Sequence, residues 1–118
     1  MAEKKVLHLH LEKKWFKKIV SGEKKEEYRE IKPYWASRLV NQKAESGEVL
    51  FDEFGGYCRV LGEPEYKPFT HVHFLLGFPK DNQPYIEKEI DEITIDRPKK
   101  GICPDAWLKK NMFVIRFK

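Results

Sequence analysis

The sequence predicts one α+β domain in which several strands form a mixed, barrel-like sheet and two short helices lie near the amino terminus. Apolar and polar residues alternate in several short segments, as is typical of half-buried strands. Two segments in the first third of the chain instead show helical spacing. The length of 118 residues suits a single domain, 1–118, with one modest core. An open antiparallel sheet fits the same signals.

The first forty residues contain the clearest local patterns. Residues 5–11 alternate and predict a strand, and residues 12–21 then change to helical spacing. One side of that helix carries the apolar residues Trp15, Phe16, Ile19 and Val20. Gly22 follows as the predicted cap, because glycine readily adopts the left-handed conformation that ends helices. Pro33 predicts the first turn of a second helix. Its expected buried side consists of Tyr34, Trp35, Ala36, Leu39 and Val40.

The remaining chain reads mainly as strands. Gly55-Gly56 lies between two apolar runs in residues 49–61 and predicts a hairpin. Further strands are expected at 70–77, 85–95 and 112–117. The alternation of the second of these shifts near Glu92, which indicates a bulge. One short helix is expected within residues 104–110.

The composition and the missing motifs indicate which kinds of partner, cellular compartment and enzyme class to expect. The net charge of +4 and the pI of about 9.0 are compatible with an anionic partner such as RNA, DNA or a nucleotide. Two cysteines without a CxxC spacing favour a reducing compartment. The apolar start of the chain is short and interrupted by histidines, so we expect a cytoplasmic protein without membrane association. A Gly-rich phosphate loop, a G-x-S-x-G elbow and an HExxH helix are missing, which disfavours nucleotide hydrolases, esterases and zinc proteases.

Residues 9–30, LHLEKKWFKKIVSGEKKEEYRE, contain a recognisable motif. The pattern G-x-K-x-x-E-x-R falls on Gly22, Lys24, Glu27 and Arg29, directly after the amphipathic helix. This segment resembles the opening of ASCH (activating signal cointegrator homology) domains, which belong to the PUA-like superfamily. The continuation IKPYW and a final strand such as FVIRF are also similar to family members. The detailed similarity covers about the first 40 residues.

The resemblance implies a PUA-like mixed β-barrel with two or three short helices, formed by a single domain over residues 1–118. It implies that residues 24–30 form a strand and that the motif borders a cleft. Many PUA-like relatives bind RNA, so an RNA or nucleotide partner and no cofactor are expected. Because a fold does not determine a function, an accessory domain that binds protein remains an alternative.

The motif side chains have the chemistry to hold a nucleotide. In a strand, Glu27 and Arg29 point to the same face. Arginine can bind phosphate or stack on a base, and glutamate can accept a hydrogen bond from an exocyclic amine. Lys24 and Lys25 would add positive charge. The alternative is that Glu27 and Arg29 form a structural ion pair, which is common on strand surfaces.

A small hydrolase is the competing interpretation. Some ASCH proteins resemble amidohydrolases that deacylate modified cytidine, and ribonuclease activity is attributed to others. Lys24 and Glu27 would then be the catalytic residues. The amidohydrolase pattern has a threonine where this chain has Glu27, so any catalysis here would differ, with Glu27 activating water.

Cationic, aromatic and histidine side chains supply further candidates. A basic surface for nucleic acid is predicted at Lys13, Lys14, Lys17, Lys18, Arg97, Lys99 and Lys100. The alternative is an ordinary solvated face. Bases could stack on Tyr34, Trp35 or Trp107, although such residues more often pack in cores. We expect no metal, but the pairs His8/His10 and His71/His73 could chelate zinc if their strands were neighbours.

Overall fold

The computed structural model describes residues 3–41, 48–51, 57–61, 65–77 and 82–118, with backbone alone for 48–51 and 57–61. In chain order its elements are β1 Val6–Leu11, α1 Lys13–Val20, β2 Glu26–Arg29, α2 Pro33–Leu39, β3 Glu48–Phe51, β4 Tyr57–Leu61, β5 His71–Leu76, β6 Tyr85–Asp96, a 3₁₀ turn Asp105–Trp107 and β7 Met112–Phe117. The predicted α+β class is confirmed. No helix among the described residues has the length and apolar character needed to cross a bilayer.

The chain divides into two compact units. The first unit consists of Met1–Tyr28 together with Phe69–Lys118, and the second unit consists of Arg29–Pro68. The first unit therefore contains both ends of the sequence, while the second is a continuous segment between them. The motif is divided by this boundary, because Lys24 and Glu27 belong to the first unit and Arg29 to the second.

A five-stranded mixed sheet has the strand order β1-β5-β6-β7-β2. Strands β1 and β5 are parallel, whereas β5 and β6, and then β6 and β7, are antiparallel. Because β1 and β2 lie at opposite edges, the described strands form an open sheet and do not close into a barrel. The predicted bulge is confirmed by a register shift between Ile90 and Glu92.

The core of the first unit is formed by buried residues of β1, β5 and β7, among other elements. The alternation predicted for β1 is confirmed, since Leu7, Leu9 and Leu11 are buried. Four consecutive residues of β7, Met112 to Ile115, are also fully buried, so this strand is covered on both faces. Gly22 has a φ of +85°, which confirms its predicted left-handed conformation after α1.

The predicted buried side of α1 is correct except at its end. Ile19 is buried and Trp15 and Phe16 are half-buried, but Val20 is 61% exposed. Each helical residue advances about 100° around the axis, so Val20 turns away from the side that Ile19 buries. Because Val20 is the last residue of the helix, no following turn covers it.

The second unit contains α2 and the β3–β4 pair. Helix α2 begins at Pro33, as predicted, and buries Ala36 and Leu39. Tyr34 was expected on the buried side but is 56% exposed, because it lies about 200° around the helix from Ala36. Strands β3 and β4 are antiparallel, as the predicted hairpin requires, although its Gly55-Gly56 turn lies outside the described residues.

Candidate functional site

Lys24 of the motif is buried although it carries a charge. Its side chain is 1% exposed, and its ammonium Nζ lies 3.3 Å from Glu27 Oε1. The same Nζ donates a hydrogen bond to the carbonyl oxygen of Ile102. It also lies over two aromatic rings, 4.8 Å from the Tyr28 centroid and 5.5 Å from the Trp15 centroid. A carboxylate, a carbonyl and two π-faces thus replace the water that Lys24 loses on folding.

Glu27 is the carboxylate of this buried ion pair. Its side chain is 5% exposed, and its Oε1 also accepts the backbone N–H of Tyr28 at 2.8 Å. Removing one member of such a pair leaves an uncompensated buried charge, which typically costs about 3–5 kcal/mol. The two residues predicted to be catalytic are therefore brought together, but as a pair shielded from solvent.

The other two predicted ligand-binding residues, Lys25 and Arg29, belong to different units. Lys25 is exposed, and its carbonyl oxygen accepts the N–H of Phe117 at 3.2 Å, which fixes the start of β2. Arg29 belongs to the second unit, where its guanidinium carbon lies 5.1 Å from the centroid of the Trp35 ring.

A second set of charged side chains surrounds Glu26, which the sequence analysis did not single out. Glu26 is 5% exposed; its Oε2 accepts from Arg116 Nε at 2.5 Å, and its Oε1 accepts from the Tyr28 hydroxyl at 2.7 Å. Arg116 also contacts Glu92 and Asp96. Burial raises the pKa of Glu26, but the hydrogen bonds from Tyr28 and Arg116 outweigh it and hold that pKa below its usual value.

The same arrangement raises the pKa of Tyr28 above its usual value. Burial raises the pKa of its hydroxyl, and the hydrogen bond donated to Glu26 raises it further. Arg116, in an otherwise apolar strand, was the available signal for this cluster, since a lone charge in such a strand needs a buried partner of opposite sign.

The turn between β6 and the 3₁₀ segment is anchored at three of its residues by other residues of the first unit. The Tyr28 hydroxyl accepts the N–H of Lys99 at 3.2 Å. Lys18 Nζ donates to the Gly101 carbonyl at 3.0 Å, and Lys24 Nζ donates to the next carbonyl, that of Ile102. Residues 99–102 are thus tied to both helix α1 and strand β2.

These anchors bring the two predicted basic segments together. Lys18 joins the last turn of α1 to the turn at Gly101, and Lys14 lies one helical turn before Lys18 on the same side. We call the exposed cations of these two segments the basic surface: Lys13, Lys14, Lys17, Arg97, Lys99 and Lys100. Lys18 itself is partly buried and also pairs with Glu23 at 3.3 Å, so it acts as the connection.

The two histidine pairs lie on neighbouring strands, β1 and β5, but their side chains do not converge on one point. His8 lies opposite His73 on β1 and β5, with ring centroids 5.2 Å apart. His73 Nε2 in turn lies 3.0 Å from Glu87 Oε1, and His10 and His71 contact oxygens elsewhere. Within the described ranges, no group of three or more His, Cys, Asp or Glu side chains is placed to hold a metal ion.

Of the two cysteines, the structure describes the side chain of Cys103. Cys103 is buried in a cluster with Tyr28, Met112 and Val114, and burial raises the pKa of its thiol. Cys103 is thus a core residue, whereas the side chain of Cys58 lies outside the described residues.

No family model matches this chain, and neither the curated proteins nor the solved structures contain a match to it.

Proposed function

We propose that this protein is an RNA-binding domain of the PUA-like ASCH type, and that the first unit contacts RNA phosphates through the basic surface. The observation that carries the proposal is the joining of two basic segments, distant in sequence, by the bond from Lys18 to the Gly101 carbonyl. The G-x-K-x-x-E-x-R motif in the sequence supports the family assignment.

The basic surface differs from an ordinary set of solvated lysines because part of its backbone is already ordered before a ligand binds. The backbone of residues 99–102 is held by Tyr28, Lys18 and Lys24 before any ligand arrives. A ligand therefore meets cations whose backbone needs no further ordering, which lowers the entropic cost of binding. Each phosphate neutralised by a lysine or arginine also releases counterions, which drives association at low salt.

The motif then has a positioning role. Lys24 is held by Glu27 and by the aromatic rings, and its Nζ donates a hydrogen bond to the carbonyl oxygen of Ile102 in the turn. We include no catalytic step, because a nucleophile or general base must reach its substrate and the side chains of Lys24 and Glu27 are almost wholly buried.

The test is a titration of fluorescently labelled single-stranded RNA with the wild type and two charge-matched variants. Lys14→Gln with Lys100→Gln removes one cation from each basic segment. The control, Lys4→Gln with Lys5→Gln, also removes two positive charges. These residues precede the first residue of β1, about 20 Å from the start of α1.

We expect the first variant to bind roughly tenfold or more weakly at 0.1 M salt, and the control to bind nearly as well as the wild type. Absence of RNA binding by the wild type, or equal losses in the two variants, would refute the proposal. Circular dichroism of each variant verifies that the fold is retained.

A further inference from the structure

Helix α2 of the second unit displays two aromatic residues beside two arginines. Tyr34 is 56% exposed, and its ring packs edge-on against Trp35 with centroids 4.9 Å apart. The guanidinium carbon of Arg38 lies 4.4 Å from the Tyr34 centroid, and that of Arg29 lies 5.1 Å from the Trp35 centroid. We call these four residues the aromatic platform.

Two side chains donate hydrogen bonds to backbone carbonyl oxygens of the helix that carries the platform. Ser37 Oγ donates to the carbonyl oxygen of Tyr34 at 2.8 Å, and Lys67 Nζ donates to the carbonyl oxygen of Ser37 at 2.7 Å. Burial of Ala36 and Leu39 fixes the opposite side of the helix. Tyr34 therefore lies on the side of α2 that faces away from the buried Ala36.

The charges around the platform indicate the kind of partner. Arg29, Arg38 and Lys67 all lie in or against it, whereas Glu30 pairs with Lys32 at 3.4 Å. An exposed aromatic ring flanked by cations suits a ligand with both flat π-surfaces and negative charge. Unpaired nucleobases on a phosphate chain have both, and they stack on aromatic rings and on guanidinium planes.

We infer that the aromatic platform stacks unpaired bases of single-stranded RNA, with Tyr34 as the main stacking residue. The inference rests on the proposed function for the identity of the ligand, but it concerns a different surface and a different interaction. The basic surface contacts phosphates, which every RNA has, whereas the platform requires bases that are free to leave the stack.

An abasic strand separates the two interactions. We would measure, by fluorescence anisotropy, the affinity for a ten-nucleotide single-stranded RNA and for a ribose-phosphate strand of equal length that lacks bases. The variants are Tyr34→Leu, which removes the ring, and Tyr34→Phe, which keeps it. Tyr85→Leu is the matched control, because Tyr85 is also 56% exposed but lies on β6 of the first unit.

For the wild type we expect the strand with bases to bind roughly 5- to 100-fold more tightly than the abasic strand. This advantage should vanish in Tyr34→Leu and persist in Tyr34→Phe and Tyr85→Leu. Equal binding of both strands by the wild type, or an advantage that survives Tyr34→Leu, would overturn the inference and leave the proposed function intact. Failure of both strands to bind would overturn the two together.

Discussion

The buried pair of Lys24 and Glu27 gives the sharpest prediction for stability. Lys24→Met keeps most of the volume of the side chain but removes its ammonium group. Glu27 then remains as a carboxylate whose side chain is 5% exposed and has lost its cation, and the Ile102 carbonyl loses its donor. An uncompensated buried charge costs about 3–5 kcal/mol. We therefore expect the free energy of unfolding to fall by about 4 kcal/mol.

A second variant distinguishes loss of charge balance from loss of packing. Glu27→Gln combined with Lys24→Met removes the stranded charge, while the amide oxygen of glutamine can still accept the Tyr28 N–H that Glu27 accepts at 2.8 Å. We expect this double variant to recover at least half of the stability lost in Lys24→Met, because neutral buried replacements of ion pairs are often well tolerated.

Urea unfolding followed by circular dichroism measures both variants against the wild type. A loss below about 1 kcal/mol for Lys24→Met would refute the reasoning, because that is the range of solvent-exposed ion pairs. The pair would then lie in an open cleft, as the hydrolase interpretation of the motif requires. A double variant less stable than Lys24→Met would also contradict a desolvated pair.

Further substitutions test strand β2 and the turn at Gly22 that precedes it. Tyr28→Phe removes the hydroxyl that bonds Glu26 and Lys99, and should lower the free energy of unfolding by about 1–3 kcal/mol in urea titrations. Because the folded-state pKa of Glu26 is lowered, its stabilisation is present above its ordinary pKa of 4.5 and is lost as pH falls through the folded-state value. Glu26→Gln should therefore destabilise the protein more at pH 7 than at pH 3, and equal losses would contradict this. Gly22→Ala, at φ +85°, should cost about 1 kcal/mol by thermal melting, and Gly22→Asn less.

Local patterns in the sequence were sufficient for several elements of the fold, but not for β2, which only the resemblance to a family implied. The alternation of β1, the helical spacing before Gly22, and the shift of pattern near Glu92 all depend on neighbouring residues, and each was confirmed. The open edge of the sheet was harder to predict, because strand order depends on contacts between segments far apart in the chain.

Local sequence patterns did not predict which side chains of the candidate site are buried. Residues 24–27, KKEE, form a polar run that would normally indicate a solvated surface, yet Lys24, Glu26 and Glu27 are buried. Their burial is explained by partners about 80 to 90 residues away, such as Ile102 and Arg116. The sequence identified the motif through its resemblance to a family, but it could not predict that its lysine supports a turn.

Exposure on a helix was also difficult to assign when apolar and aromatic residues are adjacent. Tyr34, Trp35 and Ala36 are consecutive, so they point in three directions about 100° apart and cannot all face the core. Burial of Leu39 decides the outcome, because Trp35 lies one turn before it and Tyr34 does not.

The salt dependence of RNA binding tests the central claim most directly. For single-stranded RNA, the slope of log Kobs against log salt concentration is about −0.7 for each phosphate neutralised. The variant Lys14→Gln with Lys100→Gln should therefore reduce the steepness of the wild-type slope by about 1.4, while Lys4→Gln with Lys5→Gln leaves it unchanged. An identical slope for the wild type and the first variant would contradict a phosphate-binding surface formed by helix α1 and the turn at Gly101.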